Sequence, residues 1–162
     1  MREGETIHPT PGERITCIES GANGGRFVFE LELAPGAGGP PTHTHDEGDE
    51  TIEVLEGEIE FKVHGKWRRL GPGESLTLSP SDPHTFRNPS REHPVRCNVI
   101  HGARFEKLIA QPGLLHIAIY LTDVDPGASR TTKPLMRVAL KLMATFAKLR
   151  GLRVEAPPAQ AV

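Results

Sequence analysis

Three potential metal ligands fall within eight residues of this 162-residue chain: His43, His45 and Glu50, in the run His43-Thr44-His45-Asp46-Glu47-Gly48-Asp49-Glu50. A fourth, His84, follows a Gly-rich stretch. In an extended segment, residues two apart project to the same side, so His43 and His45 can aim at one point. Glu50 opens the alternating run Glu50, Ile52, Val54, and His84 opens another, His84, Phe86, Asn88. Three neutral imidazoles and one carboxylate suit a single divalent transition metal (iron, manganese, nickel or zinc) and leave room in its shell for water, oxygen or substrate. As ordinary loop residues, the four would have to reach these spacings by accident. The remaining histidines, His8, His64, His93, His101 and His116, read as core or surface groups; His101 and His116 would line a pocket only if their runs face inward.

Both spacings carry a family resemblance. His43-x-His45-x4-Glu50-x6-Gly57 resembles the first signature motif of the cupins, and Gly73-x5-Ser79-x-Ser81-x2-His84-x3-Asn88 has the spacing of the second. Ala37 stands where the first motif has a glycine, and Ser79 and Ser81 stand where the second has proline and glycine. The resemblance spans roughly residues 26 to 101 and implies an all-β fold, a small antiparallel jelly-roll barrel holding one divalent metal on His43, His45, Glu50 and His84. It further implies an oxidoreductase of the single-domain dioxygenase type, with Glu50 as both ligand and catalytic proton acceptor, working on a small organic substrate. Two other readings stay open: a non-catalytic cupin that binds or senses a small ligand in the same pocket, and, with zinc, an isomerase or lyase. Pairing through the sheets as a homodimer is expected from the resemblance alone. A single copy of the motif argues against a two-domain oxalate-processing cupin.

Periodicity places the elements. Residues 1–12 are polar and Pro-punctuated, an arm; residues 13–121 are expected to form the barrel. In Arg26 to Leu33, Phe27, Phe29, Leu31 and Leu33 share one side while Glu30 and Glu32 take the other. Glu50–Leu55 and Glu58–Val63 flank Glu56-Gly57, which reads as a hairpin; His64-Gly65 turns into Lys66–Leu70, and Gly71-Pro72-Gly73 into Ser75–Leu78. Val95–His101 is expected to close the barrel. Short strands separated by Gly and Pro turns are what a sandwich or barrel needs. Asp46, Glu47, Asp49, Arg87 and Asn88 are candidate partners for the ligand histidines, with Arg87 out of phase and expected outside. Cys97 shares the parity of Val95 and reads as a small buried thiol.

After Gly102 the pattern changes. Arg104–Ala110 is compatible with a short helix, and periodicity does not assign Leu114–Leu121. Residues 131–152 read as a C-terminal amphipathic helix, with Leu135, Val138, Ala139, Leu142, Phe146 and Leu149 near helical period, Thr132 as N-cap and Gly151 as stop. Between Asp125 and Glu155 lie seven basic residues and no acidic one; the rest of the chain has 12 basic against 21 acidic. Such a helix suits an anionic membrane or acidic partner, but packing on the barrel or in a dimer contact is the expectation, with no membrane contact. Ala156–Val162 reads as a loose tail. A net charge of −2 gives no reason to expect nucleic acid, two cysteines make no disulfide framework, and the start lacks an apolar leader, so a cytoplasmic setting is expected.

Overall fold

The structure, a computed structural model, describes residues 1–22 and 24–154; the tail expected over Ala156–Val162 lies outside them. Its strands are β1 (Thr6–Ile7), β2 (Glu13–Glu19), β3 (Arg26–Leu33), β4 (His43–Thr44), β5 (Glu50–Glu56), β6 (Ile59–Val63), β7 (Lys66–Leu70), β8 (Ser75–Leu78), β9 (His84–Arg87), β10 (Val95–Gly102) and β11 (Arg130–Thr131). Helices α1 (Ala103–Ile109) and α2 (Leu114–Ile119), a π-helical turn over Tyr120–Val124, and α3 (Pro134–Leu149) complete the chain. Two antiparallel sheets face each other, one ordered β1-β2-β3-β10-β5-β8 and the other β11-β4-β9-β6-β7. This is the jelly-roll arrangement with a C-terminal helix.

Parity builds the core. Phe27, Phe29, Leu31 and Leu33 on β3 and Val95, Cys97 and Val99 on β10 are all buried, paired in register as Phe29 with Val99, Leu31 with Cys97 and Leu33 with Val95. Ile52 and Val54 of β5 and Ile59 and Phe61 of β6 join the same cluster. The opposite parity faces water and carries ion pairs, such as Arg96 with Glu30 and Glu56 (both 2.8 Å), each worth little in solvent.

Several expectations change. Glu56-Gly57 is not a hairpin: β5 pairs with β10 and β8, while β6 pairs with β7 and β9, so the chain crosses between sheets there. Adjacent alternating runs look alike whether they pair or cross, so the sequence pattern does not separate the two. The true hairpin joins β6 to β7 through His64 and Gly65, at φ 47° and 82°, the left-handed pair that matches strand twist. β10 lies in the middle of the larger sheet, between β3 and β5. The N-terminal arm contributes β1, which pairs with β2. Thr132 does not cap α3; its amide and hydroxyl both bond the Thr42 carbonyl, and Lys133 precedes the helix.

At the crossing, Gly57 has φ 77°, and a Cβ there would lie 2.7 Å from the Pro94 carbonyl oxygen. Gly57→Ala therefore meets both backbone strain and a rigid neighbour, and should destabilise the fold by about 1–3 kcal/mol, read as a lower urea midpoint with unchanged slope. Motif departures are also accounted for. Ala37 needs no glycine because Gly36 takes the left-handed turn at φ 71°, whereas Ser81, standing at a glycine position, is itself left-handed at φ 71°.

The C-terminal segment is built into the barrel. β11 pairs with β4, setting Thr131 opposite His43, and α3 packs on α2 through Leu140, Met143, Ala144 and Ala147. Among the described residues no helix is long and apolar enough to cross a membrane.

Candidate metal centre

The candidate ligands sit where strands begin. β4 delivers His43, and His45 follows with the same orientation; Glu50 starts β5; His84 starts β9, directly opposite His43 in register. All four are buried. One oxygen of Glu50, Oε2, lies 3.2 Å from His45 Nε2 and 3.3 Å from His84 Nε2, and donor atoms of these three residues all lie within 4.8 Å of one another. Ligand bonds of about 2.0–2.2 Å place neighbouring donors roughly 3 Å apart, so the two short separations match what one ion requires.

His43 stands beside this trio and outside it. Its ring centroid is 4.3 Å from that of His84 and 6.3 Å from that of His45. Burial, with the neighbouring His84, pushes its pKa down to about 3, so it is a neutral imidazole. The Nδ1 atoms of His43 and His45 are buried without a hydrogen-bond partner. Unpaired buried nitrogens cost about 1–3 kcal/mol each; the one on His45 is the ring nitrogen other than the Nε2 that meets Glu50, so the donor this residue offers an ion is Nε2.

Electrostatics support the same reading. Burial acts to raise Glu50, but hydrogen bonds to His45 and His84 overcome it and hold its carboxyl well below the usual range. Burial acts to lower His84, yet Glu50 and the Asp82 carbonyl outweigh it and raise the imidazole above its ordinary value. Because a carbonyl oxygen only accepts, His84 Nδ1 must be the donor in its 2.9 Å bond to Asp82 O, and in the neutral ring Nε2 is left bare for a metal.

That backbone contact is the orienting partner the sequence did not suggest. The acids and amide expected in this role are used elsewhere. Asp46 pairs with Arg130 at 2.8 Å, Glu47 accepts the Arg104 amide at 2.7 Å, and Asp49 is exposed. Arg87 points outward to Glu60, as its parity requires. Asn88 donates to the carbonyls of Leu33, Ala34 and His93 and fastens two loops.

His101 is the residue sequence reasoning undervalued. It is buried, with its ring 4.5 Å from that of His45 and stacked on Phe105 at 4.4 Å. Burial pushes its pKa down to about 4, and its Nδ1 accepts the Gly102 amide at 2.7 Å, so the neutral ring carries its proton on Nε2. The available signal was parity: it continues the inward set Val95, Cys97, Val99. His116, by contrast, lies on α2 and is only partly buried.

The loop after His45 is clamped by the C-terminal segment. Asp46 N bonds Gly127 O at 2.9 Å, and a Cβ on Gly102 would strike the Glu47 carboxyl at 2.2 Å. Gly102 thus makes room for the bond that ties this loop to the start of α1.

Residues 29–101 match the family model described as "Cupin domain". A solved cupin domain of an XRE family transcriptional regulator from Enterobacter cloacae is 31% identical, aligned over 56% of this chain and 96% of that one, with a TM-score of 0.49. An RmlC-like cupin from Shewanella frigidimarina is 18% identical over 62% of this chain and 85% of that one, with a TM-score of 0.51. Quercetin 2,3-dioxygenase of Bacillus subtilis is 26% identical over 108 residues, 62% of this chain and 32% of the relative, so the chain spans about a third of that enzyme's length.

Proposed function

Because the chain belongs to the cupin superfamily, we propose that it is a metal-dependent oxygenase-type enzyme acting on a small organic substrate inside the barrel. The observation that carries this is the buried Glu50 carboxylate held between His45 Nε2 and His84 Nε2. The distant likeness to a quercetin dioxygenase supports the redox form of the proposal. A divalent ion held by His45, Glu50 and His84, with His43 adjacent, supplies Lewis-acid polarisation and, if it is iron, manganese or nickel, access to oxygen chemistry.

The residues around the site support one class of substrate. A carboxyl held well below its usual range is a weak proton acceptor. This direction favours an acidic hydroxyl, such as an enol or a phenol-like diol, as the group that gives Glu50 a proton. His101, neutral and carrying its proton on Nε2, offers a hydrogen bond to the resulting anion inside the barrel. Phe105, stacked on His101 and on Phe29, limits water around that donor. The pairing of barrels as a homodimer belongs to this proposal as well, on family grounds.

The test is oxygen uptake by protein loaded separately with iron, manganese, nickel or zinc, across flavonols, catechol-like diols and thiol acids. Uptake with a redox-active metal and none with zinc is expected, and His101→Gln should raise KM for the acidic substrate while sparing metal content. Tight binding of an unaltered compound, with no uptake under any metal, would replace the enzyme with a ligand-binding cupin.

A further inference from the structure

We propose that the outward side of α3 docks on an anionic lipid surface. At 3.6 residues per turn, Leu140, Met143, Ala144 and Ala147 form the side that meets α2. A second apolar stripe, Leu135, Val138, Leu142, Phe146 and Leu149, runs along the opposite side and is 53–85% exposed. The sequence expectation had one apolar side covered by the barrel or a partner. The helix has two, and nothing among the described residues covers the second. Contiguous apolar surface of this kind marks an interaction site.

Charge selects the occupant. Residues 126–154 hold seven basic side chains and no acidic one. Among the described residues, three acids next to this segment are already matched, Asp46 by Arg130 and Asp123 by Lys148, each at 2.8 Å, and Asp125 by Arg104. Among the described residues, Lys133, Arg137, Lys141, Arg150 and Arg153 take part in no ion pair. By helical period, Arg137, Lys141 and Lys148 border the stripe on one side and Arg150 borders it on the other. Along the first border lies a cavity of about 330 Å³ lined by Arg130, Arg137 and Lys141, by the hydroxyl-bearing Thr122, Ser129 and Thr131, and by the apolar Leu121, Pro126 and Leu140. Its lining includes no acid, and with Arg130 engaged by Asp46 the cations it offers a phosphate headgroup are Arg137 and Lys141.

A second copy of α3 laid on the stripe would bring these same cations against one another. A bilayer would instead take the stripe into its acyl boundary and meet the cations with lipid phosphates. The acidic excess of the rest of the chain is screened beyond about 8–10 Å, so the charges bordering the stripe decide.

Co-sedimentation of the full chain with phosphatidylcholine vesicles, and with vesicles also containing phosphatidylglycerol, tests this. The anionic vesicles should bind roughly tenfold or more tightly, and added salt should erase the difference. Leu135→Ser with Leu142→Ser, both at exposed positions, should abolish binding while circular dichroism stays unchanged; Lys141→Glu with Arg150→Glu should cut it at least tenfold. Equal binding to both vesicles, or none to the anionic ones, overturns the proposal. Dissociation of a dimer by the serine pair, without vesicle binding, would assign the stripe to a second copy instead.

Discussion

Replacing His84 with alanine is expected to lower divalent-metal affinity by more than about a hundredfold, and His45→Ala should do the same. Both imidazoles approach the same Glu50 oxygen, at 3.2 and 3.3 Å, so each variant removes a donor from the centre of the trio. Loss of an outer hydrogen-bond partner alone costs about 10–100-fold in such sites, and loss of the ligand must exceed that. Elemental analysis of protein purified without added metal should find close to one ion per chain in the parent and little in either variant. Chelation of the parent should lower its melting temperature, because an ion present at about 100 times its Kd adds roughly 2.7 kcal/mol. His43→Ala should cost less, since that ring lies 6.3 Å from His45 and outside the trio. Equal loss in all three variants would make His43 a full ligand. Full occupancy in His84→Ala would remove the metal centre altogether.

The contrast between His43 and His101 shows what was legible in the sequence. Ligand spacing identified the strands on which the site is built, because His-x-His and the strand-opening Glu50 and His84 are fixed by a period of two. Which nitrogen lies nearest which oxygen depends on how far the sheets are staggered, and no local pattern records that. His101 is separated from His45 by 55 positions, and only the placement of β10 in the larger sheet brings the two rings to 4.5 Å. The hairpin misread at Glu56-Gly57 has the same origin. Alternation reports which side of a strand is buried but says nothing about which neighbour it joins. The strands Arg26–Leu33, Lys66–Leu70 and Ser75–Leu78 were legible to the residue because Gly and Pro turns bound them; Arg26–Leu33 and Ser75–Leu78 also alternate, whereas Lys66–Leu70 is marked by its flanking turns alone. The C-terminal half was less so: β11 is two residues long, and its role follows from pairing with β4.

Asn88→Asp should be among the most damaging substitutions in the chain that keep side-chain size. The Asn88 amide nitrogen donates to the carbonyl oxygens of Leu33 (3.1 Å), Ala34 (3.1 Å) and His93 (2.9 Å), while its oxygen accepts the Ser90 amide at 2.9 Å. A carboxylate keeps the acceptor but sets a second negative oxygen against three carbonyls, at a residue only 2% exposed. An uncompensated buried charge of this kind costs about 3–5 kcal/mol. The sign with pH follows from the same contacts. The introduced carboxyl is better tolerated protonated, so its folded-state pKa lies above its unfolded value of about 3.9. The folded variant then binds more protons than the unfolded chain, and stability relative to the parent falls as pH rises from about 4 toward the folded pKa. Urea unfolding of parent and variant across that range should show the gap widening with pH. A gap that stays constant, or that closes as pH rises, would mean that the amide is not confined to those three acceptors.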